Sequence, residues 1–173
     1  TREQLSRVAV KNHSNGAKNP KAHLGFECSL DDAVSAGTVA EPLNLYDCCP
    51  TSDGASVVLV ASRDVAEEIS DTQILVAGTG QASSCVGLFQ RPSITSIPAT
   101  RDAAEEAYED ADVTSDGIDF AEVHDCFSIA EIIAYEDLGF CDEGDGGKFV
   151  ESGATERDGE LPVNLSGGLK SKG

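Results

Sequence analysis

The chain has 173 residues, of which 40% are hydrophobic, and its 31 acidic against 12 basic residues give a formal net charge of −19. A chain of this length can form one domain with a real core, and its clear apolar blocks exclude disorder in spite of the charge. The lack of a basic cluster argues against nucleic acid or an anionic membrane as a partner.

The acidic excess also indicates an environment. Repulsion between surface carboxylates is screened over about 3 Å in 1 M salt, so we expect a halophilic source. No signal peptide precedes the six cysteines, because Thr1 to Gln4 opens no apolar stretch, and no apolar run approaches the roughly 20 residues that span a bilayer. These features predict a soluble, cytoplasmic protein with reduced thiols. Because the sequence contains no CxxC pair, no metal site is predicted.

Residues 1–55 are predicted to form a loop-rich excursion with one N-terminal helix. Thr1 and Gln4 have the spacing of a capping box, and apolar residues on one helical face follow them. A short helical turn is expected after Ser29, and a chain turn is expected at Pro42.

Two uninterrupted apolar runs, at 56–61 and 73–77, predict strands that are covered on both faces, since neither run alternates with polar residues. A short helix at 63–69, capped by Ser62, is expected between them. The next helix is expected from Thr100 onward, with small apolar residues on one face and acidic residues on the other. Strands separated by helices favour an α/β layered fold.

One stretch has more features of a functional site than any other. An apolar strand is predicted to lead to His124-Asp125-Cys126, and a helix is predicted to follow it. Ser128 and Glu131 have the spacing of a capping box for that helix, and Gly139 is its expected stop. Side chains at such a strand-to-helix turn lie beside backbone N–H groups and the positive helix end.

Two interpretations stay open for each candidate side chain. Cys126 is a candidate nucleophile, because a helix N-terminus lowers the pKa of a thiol, but a small buried residue is the favoured alternative. His124 is either a satisfied core histidine or a donor to a developing negative charge. His13 and His23 occur in polar, irregular sequence and are expected at the surface.

A glycine pair suggests a different class of protein. Gly78-Thr79-Gly80 follows an apolar run, as in a dinucleotide-binding turn, but Ser83 stands where the third glycine belongs. A strand that ends in a glycine turn is the favoured interpretation, and a nucleotide site is the alternative. The runs 48–55 and 164–168 also fit plain turns, although the adjacent glycines of the second run are typical of a close backbone approach.

Three motifs occur in a defined order: Pro50-Thr51-Ser52-Asp53-Gly54-Ala55, Val123-His124-Asp125-Cys126-Phe127, and the run from Asn164 to Gly173. Together they resemble the thiolase superfamily, and in particular its archaeal and sterol-carrier-type members. The resemblance implies a thiolase-like layered α/β fold and an acyltransferase that acts on acyl-CoA thioesters, by Claisen condensation or by thiolysis of a 3-oxoacyl-CoA. Coenzyme A is then a substrate, and no cofactor is implied.

The resemblance also implies roles for individual residues. His124 matches the family histidine that helps to bind the thioester oxygen, and it is therefore the implied catalytic residue. Cys126 is then a neighbour within the motif and not the attacking thiol. Contacts with the substrate or with CoA are implied for Phe127, Cys49, Ser52, Ser166 and Gly167.

On the same basis, the chain is expected to be an incomplete part of an enzyme. The family's nucleophilic cysteine would precede Thr1, and its Gly-His-Pro motif would begin at Gly173. Residues 1–55 would be the excursion, residues 56–70 the last strand and helix of the first thiolase half, and residues 71–173 the first part of the C-terminal half. We expect no thiolysis by this chain alone. A non-catalytic module that holds acyl-CoA or lipid, or serves as a scaffold, is the alternative.

Partners are implied by the family as well. An acyl-CoA is the implied small-molecule substrate, and the complete protein is expected to form a homo-oligomer. Archaeal members further imply a hydroxymethylglutaryl-CoA synthase and a small zinc-ribbon OB-fold protein as partners.

Overall fold

The computed structural model describes all 173 residues and is mainly helical. The helices are α1 (Arg2–Ala17), α2 (Leu30–Ser35), α3 (Arg63–Ile69), α4 (Pro98–Ala111), α5 (Ser128–Asp137), α6 (Gly146–Glu151) and α7 (Gly168–Lys172). The strands β1 (Thr38–Ala40) and β2 (Leu43–Asn44) form one antiparallel hairpin. Short 3₁₀ turns occur at Leu45–Asp47, Leu88–Gln90 and Ser115–Gly117. None of the helices combines the length and the apolar character needed to cross a bilayer.

Helix α1 lies at the centre of the packing, in contact with α2, α5, α6 and α7. The sequence predicts its start, since the Thr1 side chain accepts from the Gln4 amide and the Gln4 side chain accepts from the terminal amine, as in a capping box. The apolar core joins α1, α5 and α6 to the segment before α7. It contains Val8, Ile132, Tyr135, Val150, Leu161 and Val163.

The short elements after α1 follow the sequence pattern. Ser29 caps α2 with a reciprocal bond to Asp32, which confirms the expected helical turn. The chain then turns at Glu41-Pro42 between β1 and β2. Helix α3 has the predicted bounds and begins after Ser62, although the Ser62 side chain makes no capping hydrogen bond.

The two covered strands predicted at 56–61 and 73–77 are absent, and that prediction is wrong. Both runs lack regular secondary structure and pair with no strand, and their large side chains face solvent, with Val57 and Ile74 each 94% exposed. The sequence pattern indicates only that these segments are apolar. A covered strand also needs neighbouring strands to take up its N–H and C=O groups, and the only sheet of this chain is the β1–β2 hairpin.

The glycine pair at 78–80 lies against α4. A Cβ at Gly80 would lie within 2 Å of the Ala103 carbonyl oxygen, so only glycine permits this approach. The Thr79 amide donates to the Asp110 carboxylate at 3.0 Å, and the Gln81 amide donates to Glu106 at 2.9 Å. The N–H groups that would bind a phosphate are therefore occupied by carboxylates, which would repel a pyrophosphate. This geometry argues against the nucleotide site.

Helix α5 confirms one of its predicted ends and corrects the other. The helix ends before Gly139, which has a left-handed φ of +74°, as expected. At the start, however, Ser128 is the first helical residue and Phe127 is the N-cap, without a side-chain capping bond. Glu131 does not cap the helix, because three donors from elsewhere in the fold and the Tyr135 hydroxyl of the same helix take up its carboxylate.

His13 corrects a further expectation, whereas His23 is exposed as predicted. His13 is only 4% exposed and stacks on Phe26 with ring centroids 4.7 Å apart. Its Nδ1 lies 3.3 Å from the Ser171 hydroxyl. Burial, with the nearby Lys170 charge, lowers the pKa of His13 below its ordinary value. The polar sequence around His13 does not reveal this, because α7 and the 24–26 segment cover it only in the folded chain.

Candidate functional site

His124 lies at the end of an extended segment and is exposed, with no hydrogen bond to another protein group. The strand predicted before it is reduced to one parallel bridge between Ala121 and Val163. The segment is held by two further bonds, since the Asn164 amide donates to the Ala121 carbonyl at 2.8 Å and the Val123 amide donates to Asn164 Oδ1 at 2.9 Å. The backbone immediately before the imidazole is thus fixed.

Asp125 fixes the backbone on the other side of His124. Its carboxylate is fully buried and accepts from the Leu169 and Lys170 amides at 2.6 and 3.3 Å, at the N-terminus of α7. The Asn12 side chain donates to the same carboxylate at 2.8 Å. Burial, with the nearby Glu131 charge, raises the pKa of Asp125, and the bonds from α7 oppose that shift. Because the contacts of Val123 and Asp125 point into the fold, the His124 side chain faces outward.

A buried polar network lies behind this segment and is centred on Glu131. Its carboxylate pairs with Lys11 Nζ at 2.8 Å and accepts from the Asn12 and Asn164 amides at 2.6 and 2.7 Å. The Tyr135 hydroxyl also donates to Glu131. Burial, reinforced by the Glu131 charge, raises the pKa of Tyr135 well above its ordinary value, so this hydroxyl stays a donor. The network joins α1, α5 and the segment before α7 behind the candidate site.

Two of the predicted contact residues, Cys49 and Phe127, lie in segments that bond to each other. Cys48 and Phe127 form an antiparallel bridge, and the Cys49 amide donates to the Cys126 carbonyl at 3.0 Å. Cys49 is half-buried, whereas Phe127 is 41% exposed. The structure therefore brings the 48–49 segment alongside the motif that carries His124.

Cys126 does not have the environment of an activated thiol. It is half-buried, and burial raises its pKa, an effect to which the neighbouring Cys49 thiol adds. A nucleophilic cysteine needs the opposite shift, because the thiolate is the attacking species. The favoured interpretation of Cys126, as a small half-buried residue, agrees with this geometry.

The segment before α7 reaches the same motif from the other side. The Ser166 hydroxyl and amide both donate to the Glu122 carboxylate, at 2.5 and 2.8 Å. Gly167 is buried against Gly16 of α1, and Gly168, with φ +60°, passes so close to the Asp125 carboxylate that a Cβ would lie 2.2 Å from it. The paired glycines therefore mark a close backbone approach, as the sequence indicates.

Ser52 is the most remote of the predicted contact residues. It is exposed and lies against Gly173, after the end of α7. The 48–49 segment bonds to Cys126 and Phe127, α7 bonds to Asp125, and Ser52 lies against Gly173. The three motifs therefore converge beside the segment that carries His124. A cleft of about 620 Å³ lies elsewhere, beside the N-terminus of α1 and Ile129 and Ile132 of α5, and it does not include His124.

The network residues Lys11, Asn12, Glu131 and Asn164 were not singled out by the sequence for any such role. Lys11 and Asn12 lie in a helix with many polar residues, and a lysine in such a helix is ordinarily expected to be solvated. A sequence signal for the burial of these residues exists. A helix of 16 residues needs an inward face, and Lys11 and Asn12 share the face of Val8, because they follow it by three and four positions.

Comparison with known proteins gives consistent matches. Residues 80–173 match the family model described as thiolase C-terminal domain-like. The chain is 47% identical over 173 residues to the acetyl-CoA acetyltransferase of Methanothermobacter thermautotrophicus, all of this chain but 45% of that protein. It is 34% identical to sterol carrier protein 2 of Bos taurus and covers 33% of it. The chain thus spans less than half the length of these relatives.

A solved structure shows the same fold. The Ltp2-ChsH2(DUF35) aldolase superposes with a TM-score of 0.90 at 30% identity, over 99% of this chain and 46% of the other. This match confirms the expected thiolase-like α/β fold. The small number of strands in this chain corresponds to the part of the larger fold that it covers.

Proposed function

The chain belongs to the thiolase C-terminal domain-like family, and from this premise we propose that it carries part of the site of a thiolase-type acyltransferase that acts on acyl-CoA thioesters. The reaction is either Claisen condensation of acetyl-CoA or thiolysis of a 3-oxoacyl-CoA. Coenzyme A takes part as a substrate, and the chemistry needs no cofactor.

The observation that carries the proposal is the exposed imidazole of His124 between two anchored neighbours. Its N–H is available to a ligand, while Val123 and Asp125 are both held from inside the fold. A donor that is held in place before the substrate arrives stabilises a developing negative charge without the cost of reorganisation. In the proposed role His124 donates to the thioester oxygen, whose negative charge grows as the enolate forms.

The other predicted residues complete the proposed site. Phe127 follows His124 by three positions and is exposed, and Cys49 and Ser52 lie in the segment that bonds to the motif. Ser166 bonds to Glu122 of the same motif segment, and Gly167 follows Ser166 in the chain. Burial raises the pKa of Cys126, which supports the proposal that the attacking thiol of the reaction is a different cysteine.

A second candidate is supported by the aldolase match. Ltp2-ChsH2(DUF35) is named an aldolase and shares 30% of its aligned residues with this chain. A retro-aldol cleavage beside a thioester also passes through an enolate, so the same imidazole would serve, and no nucleophilic thiol would be needed. The name of that structure also supports a DUF35 protein as a proposed partner of this chain.

Binding tests the proposal on the chain itself. We expect acetyl-CoA to give saturable heat in isothermal titration with the wild-type chain, and His124→Ala to weaken binding. His23→Ala is the matched control, because His23 is also exposed but lies in a different segment. No binding by the wild-type chain, or equal binding by His124→Ala, would count against the proposed site.

Turnover tests the role of His124 in the reaction. This chain can replace the 173 matching residues of the Methanothermobacter acetyl-CoA acetyltransferase, to which it is 47% identical. If the chimera cleaves acetoacetyl-CoA, His124→Ala in the same chimera should lower kcat by about 10²–10³, the usual effect of losing one oxyanion donor. An active chimera that is unaffected by His124→Ala would contradict the proposed role. Activity on a β-hydroxyacyl-CoA but not on acetoacetyl-CoA would favour the aldolase alternative.

A further inference from the structure

The buried polar network has one member that holds the candidate site directly. Asn164 is fully buried and has a φ of +56°, a left-handed conformation in which asparagine is enriched among residues other than glycine. It is the residue after the Ala121–Val163 bridge, and its amide bonds back to Ala121. Its side chain is thereby turned towards the segment that carries His124.

Each side-chain atom of Asn164 has a different partner. Oδ1 accepts from the Val123 amide at 2.9 Å, and Nδ2 donates to Glu131 Oε2 at 2.7 Å. The first bond fixes the Glu122–Val123 peptide, one residue before that of His124, and the second anchors the asparagine to α5. Since Glu131 is itself held by Lys11 and Asn12, the asparagine rests on a rigid support.

We infer that Asn164 is a positioning residue for the His124 imidazole. It acts through the Val123 amide, and it holds the backbone so that the ring faces outward while Asp125 is held from the other side by α7. The inference rests on the proposed function for its catalytic meaning. The positioning itself is a property of this chain and is measurable without turnover.

The test uses the isotopically labelled 173-residue chain in solution NMR. The wild-type Val123 amide should exchange with solvent as slowly as core amides such as that of Val8, because Asn164 Oδ1 occupies it. Asn164→Gly keeps the left-handed backbone conformation and removes both side-chain bonds. We expect this variant to speed Val123 exchange at least about tenfold relative to core amides, as loss of a buried hydrogen bond predicts. The His124 ring signals should shift from their wild-type positions, because the exposed ring would no longer be held in one orientation.

Tyr135→Phe is the matched control, since it removes a different bond to the same Glu131 carboxylate without touching the Val123 amide. It should lower the free energy of unfolding. The His124 ring signals, and the exchange rate of the Val123 amide relative to core amides, should stay as in the wild type. Equal changes in both variants would show that only the stability of the network matters, and would overturn the inference.

The outcomes separate this inference from the proposed function. If Asn164→Gly does not fold, the wild-type chain still tests the inference. Fast exchange of its Val123 amide would exclude the hydrogen bond from that amide to Asn164 Oδ1 and would overturn the inference. Acetyl-CoA titration of the same samples gives the second readout, with about tenfold weaker binding expected for Asn164→Gly. If wild-type chain binds no acetyl-CoA while the NMR results hold, the proposed function fails and the positioning role stands.

Discussion

Lys11 and Glu131 form an ion pair, with Nζ and Oε1 2.8 Å apart, in which both side chains are completely buried. The ammonium group also donates to the Val163 carbonyl and to Asn12 Oδ1, each at 2.6 Å, so all three of its protons are used. This pair joins α1 to α5 directly behind the motif that carries His124.

Lys11→Met should be strongly destabilising. It leaves the Glu131 carboxylate buried without its counter-charge, a change that typically costs about 3–5 kcal/mol of unfolding free energy. Urea unfolding followed by circular dichroism measures the loss. Arg7→Met is the control, because the exposed pair of Arg7 with Glu3 contributes only about 0–1 kcal/mol. Similar losses in the two variants would contradict the buried pair.

Gly168→Ala should disturb the site more than a comparable glycine replacement. The new Cβ would lie 2.2 Å from Asp125 Oδ2, whereas Gly144, with φ +88°, has open space around it. Gly144→Ala should therefore cost only the left-handed backbone penalty of about 1–2 kcal/mol. Gly168→Ala should lose about 1–3 kcal/mol more, as overpacking does. Equal unfolding free energies for the two variants would show that α7 does not approach Asp125 so closely.

The buried His13 should make the chain less stable in mild acid. Its pKa is lowered from 6.5 in the folded chain, so below about pH 6.5 the unfolded chain binds the proton more readily. The free energy of unfolding should therefore fall as the pH falls from 7 towards the folded-state pKa. His13→Gln should reduce this slope, and His23→Gln, at an exposed position, should not. An unchanged slope in His13→Gln would contradict the prediction.

The Cys141 thiol should react slowly with alkylating agents. Burial, with the charges of Glu136, Asp145 and Asp142, raises its pKa to about 12, and only the thiolate reacts. Brief treatment with iodoacetamide at pH 8, followed by peptide mass spectrometry, should show Cys141 reacting far more slowly than free glutathione. Asp142→Asn should speed the reaction, and Asp64→Asn in α3 should not. Alkylation of wild-type Cys141 at the rate of glutathione would exclude the raised pKa.

Salt should stabilise the chain. With a net charge of −19, the surface carboxylates repel one another. This repulsion extends over about 10 Å in 0.1 M salt but over only about 3 Å in 1 M salt. The thermal midpoint should rise between 0.1 and 2 M KCl. Replacing the exposed Glu105 and Glu109 of α4 with lysine should reduce this dependence. A midpoint insensitive to molar salt would count against the proposed halophilic origin.

The sequence by itself determined the local features of this protein. The capping boxes at Thr1 and Ser29 and the stop at Gly139 are set by bonds and dihedral angles within a few residues, so their spacing is visible in the chain. The motif around His124 was likewise found from its residues, as was the family that the comparisons show.

Only the tertiary structure decided what the motif rests on. Whether Glu131 caps its own helix or accepts from Lys11, Asn12 and Asn164 depends on groups up to 120 positions away, and no local pattern encodes such pairing. The same reason explains the two wrong strands and the buried His13. Burial belongs to the partner surfaces as much as to the segment itself, and the partners are known only once the chain has folded.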